Sequence, residues 1–263
     1  MVELGSLGVV ALLLIVVVLF SPIGLGGGLL YVPILHYLAG LPFETAILGS
    51  LVMVLCTALG SAQAHRSEQL VSMDRVKVAV ITALPAASIG ALASIWAIEQ
   101  VSDVTVKVIA LCLTSWVLYQ TIRRMRSEVT VTEGDFQPNV YRIGTGVGGL
   151  ACGMLGIGGG AIYVTMNRGW GGLGVRQAAG TSFAIASIVV PIAIATHSIA
   201  RGWGELADFS TPLLIATPLL ALGSAYMGGR LSFRNLPASA ITWIFITMVS
   251  MSLLRYLTDL ISA

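Results

Sequence analysis

The sequence predicts an all-α integral membrane protein of two homologous halves in inverted orientation. Each half is a broken or re-entrant helical segment followed by three transmembrane helices. Three observations carry this. Only 10% of the 263 residues are charged and 56% are hydrophobic, with mean hydropathy +0.92, whereas a soluble domain carries about 25% charged residues. The stretch Gly24-Leu25-Gly26-Gly27-Gly28-Leu29-Leu30-Tyr31-Val32 returns 132 positions later as Gly156-Ile157-Gly158-Gly159-Gly160-Ala161-Ile162-Tyr163-Val164, identical at six of nine positions. The register then continues, pairing Ala46 with Ala178, Ser50 with Ser182 and His65 with His197, and after one inserted residue Pro85 with Pro218 and Gly90 with Gly223.

Residues 5–43 contain no Asp, Glu, Lys or Arg, nearly twice the roughly 20 residues that one helix needs to cross a bilayer. They form either one long kinked helix or two short helices meeting at Ser21-Pro22 and the glycines. Proline removes an amide donor and glycine weakens a helix, which favours a true break. Spans at about 45–65, 76–98 and 104–123 complete the first membrane repeat, 1–124. A polar linker follows at 125–138. The second repeat, 139–263, has a broken segment at 139–167 and spans at about 177–200, 209–229 and 235–256.

Charge chooses the topology. If each glycine segment returns to its own side, each half crosses three times and the halves are inverted. With the linker inside, eleven Lys and Arg residues are cytoplasmic, and Lys107, Arg201 and Arg255 lie outside. Eight simple crossings leave five positive residues outside, so the positive-inside rule prefers the inverted plan. The N-terminal apolar run lacks a basic leader and reads as part of the fold.

Composition excludes other classes. A net charge of +2 gives no basic footprint for nucleic acid. Cys56, Cys112 and Cys152 have no metal-ligand or disulfide spacing and read as buried, inert thiols. No metal or other cofactor is expected. An intramembrane enzyme needs a nucleophile–base pair or a metal cluster, which three scattered histidines and three isolated cysteines do not supply. A structural or accessory membrane subunit would not need two matched helix breaks.

The paired Gly-x-Gly-Gly-Gly segments, with Gly49-Ser50 and Gly180-Thr181-Ser182 opening the next span, resemble the sulfite exporter TauE/SafE family over essentially the whole chain. The resemblance implies secondary transport, in the export direction, of a small sulfur-containing anion such as sulfite or an organosulfonate, in a bacterial inner (plasma) membrane. An uptake permease for another small oxyanion and an accessory subunit are the alternatives. Oligomeric state is not readable.

The residues themselves suggest how such an anion is held. The expected span interiors carry no Lys or Arg, so its partners there are neutral. A helix starting after Gly28 or Gly160 presents unpaired amides and about half a positive charge, the usual chemistry of anion sites in discontinuous transporter helices. The candidate substrate-binding residues are therefore Gly24, Gly26, Gly27, Gly28, Gly156, Gly158, Gly159 and Gly160. The Ser50, Thr181 and Ser182 hydroxyls are candidate further donors, as are Tyr31 and Tyr163, one turn past each break. The glycines also suit close helix packing, and membrane Ser and Thr also bond back to their own helix. His65 and His197, expected at opposite faces, are candidates for a gating or proton-linked role or plain helix C-terminal caps.

Overall fold

The structure is a computed structural model that describes residues 3–126, 136–202, 204, 215–235 and 238–262. The described residues are helical, without strands, in ten α-helices. α1 (Glu3–Phe20) ends in a 3-10 turn at Ser21–Ile23, with Pro22 at its start. α2 (Gly28–Pro33) runs on through a π-helical turn, Ile34–Leu38. α3 (Phe43–Ser67), α4 (Met73–Gln100) and α5 (Asp103–Arg126) follow. The second half has α6 (Pro138–Leu155), α7 (Gly160–Gly169), α8 (Val175–Arg201), α9 (Thr217–Asn235) and α10 (Ala238–Ser262).

Among the described residues five helices are long and apolar enough to cross a membrane: Phe43–Ser67, Met73–Gln100, Asp103–Arg123, Val175–Arg201 and Thr242–Ile261. α9, at the expected span 209–229, is not among them; residues 209–214 of that span lie outside the described residues, as does most of the expected linker, at 127–135. Both glycine segments are pairs of short helices, not one kinked helix.

The second pair is a closed hairpin. The Gln137 amide donates to the Trp170 carbonyl at 3.0 Å, so the segment starts and ends at one place. Up the hairpin, Gly144 faces Met166 and Gly148 faces Ile162 and Tyr163. At its base the Tyr141 hydroxyl donates to Asn167 Oδ1 at 2.6 Å, and Asn167 Nδ2 to the Ala178 carbonyl at 3.0 Å. In the first pair Gly27 packs against Val16 and Tyr31 at the turn, and the π-helical turn Ile34–Leu38 that follows α2 comes back against α1.

α3 and α8 pack antiparallel at the centre. Glu44 at the start of α3 pairs with Arg201 at the end of α8, while Gly180 near the start of α8 packs on His65 and Leu70. α6 runs parallel to α4, where Gly149 and Gly153 sit directly on the Ala83 and Ala87 carbonyls. α9 runs parallel to α3, with Gly60 on the Leu222 carbonyl and Gly229 on Ala64. Small residues allow this backbone approach, which drives helix association where lipid removes the hydrophobic advantage. On α4 the packed face is Ala79, Ala83, Ala87 and Ala91, all buried, while Ile81, Ile89, Leu92 and Trp96 face outward, as expected of a lipid-facing stripe.

These directions bring the N-terminal ends of α3, α5 and α9 to one end of the bundle, with the C-terminal ends of α4, α8 and α10. Lys107 at that end is held by Asp103 Oδ2 at 3.0 Å and Asp259 Oδ2 at 2.8 Å. Tyr37 donates to the same Asp259 oxygen at 3.0 Å, and Arg255 lies over the Tyr37 ring at 4.9 Å. Of the 14 Lys and Arg residues, only Lys107, Arg201 and Arg255 are at this end. His65 and His197 lie at opposite ends, as α3 and α8 require.

Candidate functional site

The two hairpin tips meet in the middle of the molecule. Gly24, Gly26 and Gly27 have φ of +80°, +68° and +70°, and Gly156, Gly158 and Gly159 have +68°, +68° and +66°. L-residues with a side chain rarely adopt this left-handed region. Each tip uses three such glycines to stop one helix and start the next, antiparallel to it. Gly28 then lies on the Ile157 carbonyl, and Gly160 lies on the Leu25 carbonyl, 3.1 Å from where its Cβ would be. The two contacts exchange when the halves are exchanged.

Hydroxyls from the long helices fasten each tip. Ser50 Oγ of α3 donates to the Gly156 carbonyl at 2.7 Å. Ser182 Oγ of α8 lies 3.0 Å from the Gly24 carbonyl and 2.7 Å from the Ala179 carbonyl, sharing one proton between them. Each serine crosses to the tip of the other half. Thr181 Oγ1 stands apart from the tips and accepts the Ser72 amide at 3.0 Å.

The tyrosines are not equivalent. Tyr31, fully buried, exchanges a hydrogen bond of 3.1 Å with Thr57 Oγ1, which itself donates to the Met53 carbonyl at 2.8 Å. Tyr163, also fully buried, has no hydrogen-bond partner among the described residues. The position matching Thr57 at the 132-residue offset is Val189, which has no hydroxyl to offer.

The histidines sit against the hairpins. His65 Nδ1 donates to the Ser61 carbonyl at 2.8 Å within its own helix. His197 Nε2 donates at 2.8 Å to the Gly153 carbonyl, in the last turn of α6 below the second tip. All these predicted site residues except Thr181 thus gather at the tips or against the helices that carry them.

The sequence hid two charged groups. Lys107 and Arg201 lie at span ends, yet their side chains are only 8% and 10% exposed. Arg201 pairs with Glu44 and lies 3.9 Å from Glu99 Oε1. Its visible signal was spacing, since Arg201 follows His197 by one turn on the same face of α8. The expectation of buried cysteines fails for Cys112, which is exposed; Cys152 is buried and Cys56 partly so. An exposed thiol on a lipid-facing helix costs nothing, because lipid is as apolar as the core. A separate open cleft of about 500 Å³ between α1, α2 and α10 is lined mostly by apolar side chains, among them Leu12, Leu30, Pro33 and Met248.

The sequence that builds the tips and the helices around them matches a family model. The family model described as "Sulfite exporter TauE/SafE" matches residues 9–256. The chain belongs to the TauE/SafE sulfite exporter family. No curated protein and no solved structure matches it. As a TauE/SafE protein it is a multi-pass membrane transporter, and the matched segment spans both hairpin tips, four of the five long apolar helices found among the described residues, most of the fifth, and the serines that tie the tips down.

Proposed function

We propose that this TauE/SafE protein is a secondary transporter that exports a small sulfur-containing anion, such as sulfite or an organosulfonate, across the inner membrane. The anion is held between the two hairpin tips, with the charge-rich end of the bundle, including the linker at 125–138, in the cytoplasm. The observation that carries the reading is the meeting of Gly28 with Ile157 and of Gly160 with Leu25. It brings the starts of α2 and α7 together from opposite ends of the bundle.

Helix starts offer amides and positive dipole ends without a fixed charge. Donors of that kind suit a carrier, which has to release its cargo. In the arrangement seen here the tips touch, and Ser50 and Ser182 spend their protons on tip carbonyls. When the hairpins part, those hydroxyls and the Tyr31 and Tyr163 hydroxyls become donors for an oxyanion. The antiparallel matched helices α3 and α8, and the crossed serine bonds, support the reading of 1–124 and 139–263 as inverted repeats that rock against each other.

The test is a thermal-shift series on the purified chain in detergent, with sulfite, sulfoacetate, thiosulfate, sulfate and carboxylate controls. A ligand at a hundred times its Kd stabilises by about 2.7 kcal/mol, so the ranked shifts report the substrate class. Sulfite and sulfonates are expected to lead. Equal shifts from carboxylates, or none from any sulfur anion, would refute the reading.

A further inference from the structure

We propose that Arg201, Ser94 and His197 form a second anion station beside the second hairpin tip, and that Glu44 occupies it as a built-in competitor that a small oxyanion displaces. This rests on the reading of the chain as an anion carrier. Glu44 and Ile47 of α3, Ser94, Ile95 and Ile98 of α4, and His197 and Arg201 of α8 line one small, partly open pocket. Its floor is the second tip, because His197 bonds the Gly153 carbonyl and Gly156 packs on the Ile47 backbone.

Two features mark the pocket as a site and not only an ion pair. Ser94 Oγ lines it, is fully buried and has no hydrogen-bond partner among the described residues. Buried hydroxyls are normally partnered, and an idle one calls for a ligand or a structural reason. The Arg201 guanidinium is occupied by a carboxylate, which has the charge and oxygen spacing of one edge of a small oxyanion and fits the same planar fork. A pyramidal or tetrahedral anion offers a further oxygen, which Ser94 is placed to bond. With Glu44 in place the pocket admits no water-sized sphere, so entry requires exchange of one anion for another. Exchange keeps Arg201 compensated throughout, avoiding the cost of an unpaired buried charge.

The constellation is not dictated by the repeat. At the 132-residue offset Glu44 corresponds to Arg176, and Arg201 to Gln69, so the opposite end of the bundle has no such pair at these positions.

The experiment titrates sulfite into the purified full chain, by thermal shift and by proteoliposome efflux, for wild type, Glu44→Gln, Ser94→Ala, Arg201→Lys and the tip variant Gly160→Ala. Each variant's melting without sulfite shows whether it is folded. Glu44→Gln removes the competitor and is expected to lower half-saturating sulfite about tenfold, equivalent to about 1.4 kcal/mol. Ser94→Ala is expected to raise it about fivefold, the loss of one hydrogen bond. Arg201→Lys, a point charge in place of a fork, is expected to raise it about tenfold or more. If Glu44→Gln does not fold, Ser94→Ala decides, since its hydroxyl has no partner to lose among the described residues. Unchanged titrations in the pocket variants with a shifted Gly160→Ala overturn the station and leave the tip reading standing. Shifted pocket variants with an unchanged Gly160→Ala do the reverse. A wild type that ignores sulfite overturns both.

Discussion

Ser50 Oγ donates to the Gly156 carbonyl at 2.7 Å, so a helix of one half holds the hairpin tip of the other. The matched Ser182 divides its proton between Gly24 and its own helix at Ala179. Ser50→Ala leaves a buried carbonyl without a donor and is expected to cost about 1–3 kcal/mol. Ser182→Ala is expected to cost less, because its bond to the tip is already shared. Thermal unfolding in detergent compares the two; equal losses would show that the tips are tied down equally.

Gly28 and Gly160 correspond in the repeat but differ in clearance. Neither has a positive φ, so only contact matters. A Cβ at Gly28 overlaps the Ile157 carbonyl, whereas at Gly160 it lies 3.1 Å from the Leu25 carbonyl. Gly28→Ala therefore forces the tips apart, with an expected loss of about 2–3 kcal/mol typical of overpacking, while Gly160→Ala loses under about 1 kcal/mol. Similar melting temperatures for the two variants would contradict the contact.

Tyr163 lacks the partner that Thr57 gives Tyr31. Val189→Thr supplies a hydroxyl at the matched position, where it can back-bond to the Ile185 carbonyl as Thr57 does to Met53. The variant is expected to gain about 1 kcal/mol, the net value of one hydrogen bond. Thr57→Val, the converse, is expected to lose a similar amount. A Val189→Thr variant less stable than wild type would show that Tyr163 does not point where its counterpart does.

Lys107 holds Asp103 and Asp259 together and so joins α5 to α10. Both carboxylates keep some solvent contact, at 41% and 30% exposure, which limits the penalty of leaving them unpaired. Lys107→Met is expected to cost about 1–2 kcal/mol. Asp259→Asn, which keeps an acceptor for Tyr37, is expected to cost less. Urea or thermal unfolding ranks them.

Single cysteines in a background without Cys56, Cys112 and Cys152 test the hairpins in a membrane. Pro42→Cys and Gly204→Cys lie at one end of the bundle and are expected to label from one side. Glu68→Cys and Gly169→Cys are expected to label from the other. Position 169 is the critical one, because the Gln137–Trp170 bond returns the chain to its starting end. Labelling of 169 together with 42 and 204 would mean that residues 138–169 cross the membrane.

The class of fold, the five long apolar helices and the breaks at both glycine runs were legible in the chain, because hydropathy over 20 residues and consecutive glycines are local signals. Some span ends were legible to within a few residues, as at α3 (45–65 expected, Phe43–Ser67 found), whereas α9 and α10 run six residues past their expected ends at 229 and 256. Tyr141 and Asn167 were missed because they are separated by a whole hairpin and look ordinary alone. In the sequence Arg201 and Lys107 count only as positive residues outside the membrane, since nothing local shows that the partners Glu44 and Asp259 come from 157 and 152 residues away.

By itself the sequence determined that the chain is helical, resides in a membrane, breaks at two glycine runs and belongs to its family. Composition, periodicity and motif spacing carry that information along the chain. Only the tertiary structure decided that the tips touch at Gly28–Ile157 and Gly160–Leu25, that the serines cross between halves, and that Arg201 is buried against Glu44. These depend on helices packing at backbone contact, a distance fixed by residues far apart in sequence whose small side chains reveal closeness only once the partner is known.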